Sequence, residues 1–270
     1  MEERLKRFIK YECELFSILG DIKIMDRIHL IMPMGGGGTR FGNKGFNLPK
    51  PLIELQGKPF FYWATQSIIK FVEVQDIIFV VLQDHIDKFG IDSKIKNFFP
   101  EAQIQVIPQV LNGAVLTCCE GLKLVHDGMP ILFNDCDHAF LCDSFYEFCR
   151  KASFNEVDGA MLTFESTSPN FSYVKFDEEG AVTGTIEKVV ASNEAICGAY
   201  YFRNKDIFCS AVDSYLLRCA YKEYFVSGVY NEMAEKGKKI ITFRTDDHIS
   251  FGTPDEYDRA IKDERLERLI

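Results

Sequence analysis

IMPMGGGGTRFGNKGFNLPKPLIELQGKP, residues 31–59, is the most informative stretch of this 270-residue chain. It begins inside a short apolar run, residues 28–32, and leads directly into four glycines. A glycine turn after a strand lets backbone N–H groups approach a ligand closely, because no Cβ intervenes, and such groups can hold phosphate oxygens or the edge of a base. The residues that we expect to bind a nucleotide in this way are Met34, Gly35, Gly36, Gly37, Gly38 and Thr39.

Two cationic residues follow the glycines. Arg40 would put a fixed positive charge beside bound phosphates. Lys50 stands between Pro49 and Pro51, so its amine is carried on a stiff segment that suits charge neutralisation at a transferring phosphoryl group. The stretch is not a P-loop, because glycine follows Lys44, and it lacks the acidic residue of a dinucleotide fingerprint. We predict that Arg40 and Lys50 are catalytic.

Apolar runs alternate with helical patterns in the first half of the chain. Runs of strand type lie at residues 28–32, 77–82, 104–107 and 131–133, with helical patterns at 60–71, 85–98 and 114–125. Such alternation is typical of a parallel sheet with helices on both faces. We therefore predict an α/β fold, with a Rossmann-like mixed, mainly parallel sheet flanked by helices.

The second half is less regular. Strands are predicted at residues 160–164, 173–176, 182–187, 199–202 and 240–243, and helices at 205–218, 229–236 and 254–268. With no repeat or linker, residues 28–270 are expected to form a single domain. Residues 1–20 show an amphipathic helical pattern, so residues 1–27 are predicted to be an N-terminal helical extension, compatible with a homodimer.

The composition excludes several classes of protein. The net charge of -9 argues against a nucleic-acid partner, which requires a basic face. No apolar run is long enough for a membrane span, and the charged N-terminus is not a signal peptide. The nine cysteines lack the paired spacing of a zinc site and are expected to be reduced thiols. A cytoplasmic protein without a membrane or nucleic-acid partner is predicted.

The fourth predicted strand ends in a short acidic segment that contains Asp135 and Asp137. Carboxylates at the carboxyl end of a parallel strand lie where open α/β sheets bind ligands. Two nearby acids can hold Mg²⁺, which takes one or two carboxylates together with substrate phosphates. We expect Mg²⁺ as the cofactor, and we expect His138 to be structural rather than a ligand.

These pieces together resemble a known signature. A strand, G-x-G-x-R-[FL], P-K-P-L and then G-K-P before a helix is similar to the pattern of the sugar-phosphate nucleotidyltransferases, or nucleoside-diphospho-sugar pyrophosphorylases. The resemblance covers about residues 28–260 and is strongest before residue 60. It implies a fold of the nucleotide-diphospho-sugar transferase type, with the glycine loop and Arg40 on the triphosphate and Lys50 near the reacting centre. It also favours Asp137 as the metal ligand, with Asp135 as the alternative.

Further positions match the same family. Gln109 and Gly113 resemble its base-reading segment, and a glutamine side chain can both donate to and accept from a base. The acceptor contacts that the resemblance implies are Glu187, Lys188, Asn193 and Gly198. In the family the glutamate binds sugar hydroxyls and the lysine binds the acceptor phosphate. Adjacent strand residues face opposite sides, so only a distorted strand end lets Glu187 and Lys188 serve one pocket.

One segment departs from the family pattern. Many members carry a second metal-binding aspartate just before a late G-T step, whereas HISFGT, residues 248–253, contains no acid. Asp246 or Asp247 could substitute, the ligand could come from elsewhere, or Asp137 and the phosphates could hold the metal alone.

The function that we expect is transfer of a nucleotidyl group from a nucleoside triphosphate to a sugar 1-phosphate or similar phosphorylated small molecule, with release of pyrophosphate. The product would be an activated nucleotide sugar for surface polysaccharide. One alternative is a cytidylyltransferase acting on phosphocholine or a related phosphorylated amino compound. A glycosyltransferase or a non-catalytic nucleotide-sugar-binding protein are the others.

Overall fold

The structure, a computed structural model, describes residues 27–151 and 156–270. The helix predicted over residues 1–20 lies outside the described residues. The strands are β1 (Ile28–Met34), β2 (Glu54–Leu55), β3 (Lys58–Pro59), β4 (Val74–Leu82), β5 (Gln103–Ile107), β6 (Ile131–Asn134), β7 (His138–Leu141), β8 (Gly159–Glu165), β9 (Ser172–Phe176), β10 (Val182–Glu187), β11 (Glu194–Phe202), β12 (Ile240–Arg244) and β13 (Asp247–Ser250).

Helices lie between and around these strands. They are α1 (Thr39–Gly42), α2 (Phe60–Ile69), α3 (Gln83–Phe89), α4 (Ile91–Phe98), α5 (Ala114–Gly121), α6 (Asp143–Arg150), α7 (Lys205–Arg218), α8 (Val226–Glu235) and α9 (Pro254–Ala260). Short 3₁₀ turns span Lys50–Leu52, Leu122–Leu124 and Glu264–Leu269. In the described part of the chain, none of the helices has both the length and the apolar character that a membrane span needs.

One mixed sheet organises the described chain. Its strands follow the order β10–β9–β11–β6–β1–β4–β5, and β8 extends it by pairing with β11 and β12. Strands β6, β1, β4 and β5 are parallel neighbours, whereas β11 runs antiparallel to β6, β8 and β9. The predicted fold, a mixed and mainly parallel sheet with flanking helices, is confirmed.

The central strand β1 is buried on both faces. Leu30 and Met32 belong to the core that contains α2, while Ile31 between them belongs to the core that contains α5. Alternate strand residues face opposite sides, so a strand covered on both faces reads as a continuous apolar run. Because β1 and β6 run parallel side by side, the glycine loop after β1 and the acidic segment after β6 emerge at the same edge of the sheet.

Two long helical predictions are wrong in their extent. The helix predicted over residues 85–98 is two helices, which meet at Gly90 in a left-handed conformation (φ +59°) that ends a helix readily. The closing helix predicted over residues 254–268 ends at Ala260. A separate 3₁₀ turn then begins after Asp263, whose side chain accepts a hydrogen bond from the backbone N–H of Arg265.

Two strands near the acidic segment differ from expectation. Strand β11 begins at Glu194 rather than 199, and its register shifts between Ile196 and Tyr200, where Gly198 adopts φ +100°. Strand β13 is absent from the sequence prediction because only Ile249 of its four residues is buried. It pairs antiparallel with β7 and brings the late segment beside the acidic one.

Candidate active site

The glycine loop packs closely against the backbone of the segment that carries Lys50. A Cβ built on Gly38, which has φ +61°, would lie 3.3 Å from the backbone nitrogen of Lys50. A Cβ on Gly35 would lie 2.6 Å from Cδ1 of Ile107. Gly38 therefore needs glycine for its positive φ and close backbone approach, whereas a larger residue at Gly35 would require the Ile107 side chain to move. The side chains of Thr39 and Arg40 lie outside the described part of the structure, so the role of Arg40 stays a prediction.

Lys50 lies at the start of a 3₁₀ turn and reaches the acidic segment. Its Nζ is 2.7 Å from Oδ2 of Asp137, a salt bridge between residues that are 87 positions apart. Pro49 precedes Lys50, and the buried Pro51 follows it. The structure thus brings together two of the residues that the sequence analysis selected, one from each of two distant segments.

Glycines make room for both carboxylates. A Cβ on Gly198 would lie 2.8 Å from Oδ2 of Asp135, and the carbonyl of Gly198 accepts a hydrogen bond from the backbone N–H of Asp135 at 2.9 Å. A Cβ on Gly252 would lie 2.4 Å from Oδ2 of Asp137. Any larger residue at these positions would displace a carboxylate. The two acids are therefore held by backbone that approaches from β11 and from the loop after β13.

The ionisation of the pair follows from its surroundings. Burial raises the pKa of Asp135, and the carboxylates of Asp137 and Glu187 raise it further against the effect of Lys50, to about 7. Burial acts in the same direction on Asp137, but the Lys50 ammonium outweighs it and holds the pKa of Asp137 below its ordinary value. Burial lowers the pKa of Lys50, yet the neighbouring Asp137 raises it overall, so Lys50 is a cation at neutral pH.

The donor set of this acidic segment fits a hard divalent cation. Two carboxylates lie close enough to interact strongly, and a single ammonium neutralises them incompletely. Mg²⁺ uses one or two carboxylates and completes its octahedron with water and substrate phosphates. Asp135 and Asp137 are the residues that would hold it.

A cavity of about 300 Å³, the loop cavity, lies between the glycine loop and the acids. Its lining comprises Pro33, Met34, Gly35, Gly36, Gly37, Lys50, Pro51, Val110, Leu111, Gly113, Ala114, Thr117, Asp135, Cys136, Asp137 and Glu223. Glycine backbone, apolar side chains and the Lys50 ammonium line this cavity together with the carboxylates of Asp135, Asp137 and Glu223. An anion with an apolar part would bind here with Lys50 and a divalent cation offsetting the carboxylates.

A second cavity of about 190 Å³, the strand cavity, shares Asp135 and Asp137 with the first. Its other lining residues are His138, Asn170, Phe171, Ser172, Glu187, Ile196, Cys197, Gly198, Tyr200, Phe225, His248, Ser250, Gly252, Thr253 and Glu256. Two pockets that meet at a carboxylate pair can hold two substrates with their reacting groups side by side.

Glu187 is anchored at the floor of the strand cavity. Its Oε2 accepts hydrogen bonds from the hydroxyls of Ser172 and Ser227, the second at 3.4 Å. The adjacent Lys188 has φ +56°, which is the kind of strand-end distortion that Glu187 and Lys188 would need to serve one pocket. The Nζ atom of Lys188 lies 5.1 Å from the ring centroid of Phe225. The lysine is exposed and does not line either cavity.

The remaining predicted binding residues divide between the cavities and the surface. Gly113 lines the loop cavity, and a Cβ there would lie 2.3 Å from the backbone nitrogen of Tyr224. Gly198 lines the strand cavity. Gln109 and Asn193 are exposed and lie outside both linings, and the neighbours of Gln109, Val110 and Leu111, enter the loop cavity instead.

Sequence reasoning missed His248 and Cys197 in the strand cavity, and it expected a structural role for His138. His138 is 2% exposed, and burial lowers its pKa to about 4 against the effect of Asp137. Burial also lowers the pKa of His248 well below its ordinary value. Both rings are therefore neutral at pH 7. Cys197 comes from β11, so no local spacing links the three residues, and only the absence of an acid at residues 248–253 marked the region as unusual.

Comparisons with known proteins agree with this geometry. A sequence profile described as nucleotidyl transferase matches residues 29–265. Two solved structures share the fold. The nucleoside-diphosphate-sugar pyrophosphorylase from Vibrio cholerae RC9 has a TM-score of 0.75 at 23% identity, over 87% of this chain and 100% of that one. The inositol-1-phosphate CTP transferase from T. maritima has a TM-score of 0.71 at 13% identity, over 92% of this chain and 96% of that one.

A comparison with curated protein sequences gives no match. The likeness to the two structures establishes the fold, and the profile, which spans most of the chain, establishes the family. The chain belongs to the nucleotidyl transferase family, and the protein is a nucleotidyltransferase.

Proposed function

We propose that the protein transfers a nucleoside monophosphate from a nucleoside triphosphate to a sugar 1-phosphate or a closely similar phosphorylated small molecule. The observation that carries this proposal is the meeting of the loop cavity and the strand cavity at Asp135 and Asp137, with Lys50 at the junction. The triphosphate would occupy the loop cavity and the acceptor the strand cavity.

The chemistry needs positioning more than a proton-transfer group. An oxygen of the acceptor phosphate attacks the α-phosphorus, a new P–O bond forms, and the bond to pyrophosphate breaks with the electron pair leaving on pyrophosphate. The acceptor phosphate is already anionic, so no general base is required. Lys50, a cation held by its proline-flanked turn, would neutralise charge that develops on the phosphates. Arg40 is proposed to act beside it.

Enzymes of this family generally use a divalent metal ion. We propose Mg²⁺, with Asp137 and Asp135 as its protein ligands. The ion, when bound, supplies further charge neutralisation at the phosphates. Asp137 also holds Lys50 through the salt bridge at 2.7 Å.

The strand cavity supports a polyhydroxylated acceptor. Two serine hydroxyls hold Glu187 in position. Its carboxylate oxygens can still accept hydrogen bonds from the hydroxyls of a sugar or polyol. Both similar structures carry names of this kind, a nucleoside-diphosphate-sugar pyrophosphorylase and an inositol-1-phosphate CTP transferase. We propose that Glu187 and Gly198 contact the acceptor directly.

A second candidate is a phosphorylated amino compound as acceptor. The strand cavity contains four carboxylates, those of Asp135, Asp137, Glu187 and Glu256, beside the rings of aromatic residues. Carboxylates and aromatic rings are the groups that bind an ammonium group. This acceptor keeps the same transfer chemistry.

We also propose that the enzyme is cytoplasmic and makes an activated nucleotide sugar used for surface polysaccharide. The described cysteines are free thiols, which supports a reducing compartment.

The decisive experiment measures pyrophosphate release with Mg²⁺ from CTP, UTP, dTTP, GTP and ATP in turn. Each triphosphate is paired with hexose 1-phosphates, inositol 1-phosphate and phosphocholine. Acceptor-dependent release with one pair identifies both substrates. Release with phosphocholine alone would select the second candidate.

The matched control is Asp137→Asn, which keeps the side-chain shape beside Gly252 and removes the charge. We expect release to fall by about 10²–10³-fold, the loss of several kcal/mol of transition-state stabilisation. Absence of release from every pair, while a nucleotide sugar binds tightly, would overturn the proposal in favour of a glycosyltransferase or a binding protein.

A further inference from the structure

Three potential metal ligands converge on one wall of the strand cavity. They are the imidazoles of His138 and His248 and the thiol of Cys197, whose ligand atoms all lie within 4.8 Å of one another. We call these residues the His–Cys cluster. His138 lies in β7 opposite Ser250 of β13, and His248 lies opposite Phe140, so the two histidines are diagonal neighbours on one face of the pair. Cys197 faces them from β11.

Within the described part of the chain, three of the four imidazole nitrogens of the cluster are buried without hydrogen-bond partners. This holds for both ring nitrogens of His138 and for Nε2 of His248. The backbone of Asp135 approaches the His138 ring and acts to raise the pKa of that imidazole against the larger effect of burial. Buried polar groups without partners are costly and uncommon in folded proteins, so each one calls for an explanation. A cation bound between the rings would satisfy one nitrogen of each histidine.

Aromatic neighbours pack against both rings. The His248 ring stacks on Phe164 with centroids 3.9 Å apart at an interplanar angle of 25°. The His138 ring stacks on Phe140 at 5.5 Å and 25°, and the two imidazoles lie 5.7 Å apart. Such packing restricts the rotation of both rings and so reduces the conformational entropy that would be lost when they bind an ion.

The donor set determines the class of ion. Neutral imidazole nitrogens and a thiolate suit Zn²⁺ and similar borderline transition metals, whereas Mg²⁺ prefers oxygen. With Zn–N distances of about 2.0–2.1 Å and a Zn–S distance of about 2.3 Å, tetrahedral ligands lie roughly 3.3–3.7 Å apart. The cluster needs to contract by about an ångström to reach this spacing.

We propose that His138, Cys197 and His248 bind a divalent transition-metal ion of the Zn²⁺ class, at a site separate from the carboxylates of Asp135 and Asp137. All three ligands line the strand cavity, so the fourth coordination position opens toward the acceptor. Three protein ligands with one open position is the arrangement of sites that bind a substrate oxygen. Burial raises the pKa of the Cys197 thiol, so the thiolate forms as the ion binds and its proton is released to solvent.

The test uses the full-length protein, freed of metal with a chelator, and Co²⁺ or Zn²⁺ alone without nucleotide. Titration with Co²⁺ should produce a thiolate-to-metal charge-transfer band in the near ultraviolet that saturates at about one ion per chain. Zn²⁺ added afterwards should abolish the band by competition. The readout does not depend on turnover, so it is independent of the proposed nucleotidyl transfer.

Variants separate the His–Cys cluster from other sites. Cys197→Ser should lose the band, and His248→Gln should weaken Zn²⁺ binding by at least about tenfold. The matched controls are Cys209→Ser and His85→Gln. They change a half-buried thiol and a buried histidine that lie outside the cluster. Both variants should bind Co²⁺ and Zn²⁺ as the parent protein does. Asp137→Asn should keep the band, because its carboxylate is not a ligand of this site.

Two results would overturn the proposal. One is the absence of a thiolate band in the folded parent protein. The other is Zn²⁺ binding that is lost in Asp137→Asn and retained in Cys197→Ser, which would assign the ion to the carboxylates. His248 is only partly buried, so His248→Gln provides the histidine test even if the variant of the buried His138 fails to fold.

Discussion

The loop cavity and the strand cavity meet at the same two aspartates but are built in different ways. Much of the loop cavity comes from two short stretches, residues 33–37 and 50–51, both inside the 29-residue stretch that opens the sequence analysis. The strand cavity draws on β7, β9, β10, β11, β13 and the loops around them. On the proposed function, much of the phosphate site is therefore encoded in one local stretch, whereas the acceptor site depends on the folded sheet.

The two cavities also differ in chemistry. Besides the two shared aspartates and Glu223, the loop cavity offers glycine backbone and a lysine, which suit phosphates common to every nucleoside triphosphate. The strand cavity offers carboxylates, hydroxyls and two neutral imidazoles, which suit a particular acceptor. Changes in the loop cavity should affect catalysis with all substrates, and changes in the strand cavity should affect the acceptor.

The largest effect is expected from Lys50→Met. The substitution keeps an unbranched side chain and removes the cation between the phosphates and Asp137. We expect kcat to fall by about 10²–10³-fold, as for the loss of one preorganised electrostatic contact. Steady-state pyrophosphate release with saturating substrates measures this.

Lys58→Met is the matched control from the same signature. Lys58 Nζ lies over the rings of Tyr62 and Phe98, at 5.3 Å and 5.2 Å from their centroids, and Lys58 does not line either cavity. Its variant should retain parental kcat. Equal losses in the two variants would mean that general destabilisation, and not the charge at the junction, is responsible.

Gly198→Ala should have the next largest effect, because it acts on the junction from the strand side. The new Cβ would meet Oδ2 of Asp135 at 2.8 Å, and φ +100° is strained for alanine. We expect a loss of about 1–3 kcal/mol in the free energy of unfolding and about a 10²-fold loss of kcat/KM through displacement of the carboxylate. Urea unfolding and initial rates measure the two effects.

Gly180→Ala isolates the strain from the contact. Gly180 has φ +84° in the turn between β9 and β10, and a Cβ there meets nothing within 4 Å. It should lose stability without losing kcat/KM. Full activity in both glycine variants would show that catalysis does not depend on the position of the Asp135 carboxylate.

The fold was predictable where the pattern of buried residues follows the period of a strand or a helix. The strands buried on both faces, β1, β4 and β6, read as apolar runs, and the helix over residues 205–218 is observed at its predicted bounds. Errors occur where one residue changes the backbone, as at Gly90, or where a strand is mostly polar, as in β13. Propensity and periodicity do not reveal these features, because tertiary pairing determines them.

The site was predictable only in its local part. The glycine loop, Lys50 and Asp137 were selected from contiguous motifs. The structure joins Lys50 to Asp137 through one salt bridge, and Gly38 lies against the backbone of Lys50. The histidines and Cys197 come from three strands whose neighbours are set by the pairing of β7 with β13 and by the bulge in β11. No spacing rule covers such a set.

Glu187→Gln should have a smaller and more selective effect. The amide keeps the shape beside Ser172 and Ser227 but removes the charge that we propose binds acceptor hydroxyls. We expect the KM of the acceptor to rise about tenfold, the loss of one charged hydrogen bond, with the KM of the triphosphate unchanged. Glu178→Gln, in the exposed turn between β9 and β10, is the control. A rise in the KM of the triphosphate instead would contradict the assignment of the strand cavity to the acceptor.

Ser250→Asp tests the departure from the family pattern and should have the smallest effect. Ser250 lies opposite His138 in the β7–β13 pair and lines the strand cavity beside Asp137, in the segment where many family members carry an aspartate. A third carboxylate there would strengthen the attraction for Mg²⁺ by about 1 kcal/mol, so half-maximal activity should need roughly fivefold less Mg²⁺. Ser250→Asn is the matched control for size and should leave this dependence unchanged. If the aspartate variant shows the parental Mg²⁺ dependence, residues 248–253 do not approach the catalytic ion, and the late segment serves the acceptor and the His–Cys cluster alone.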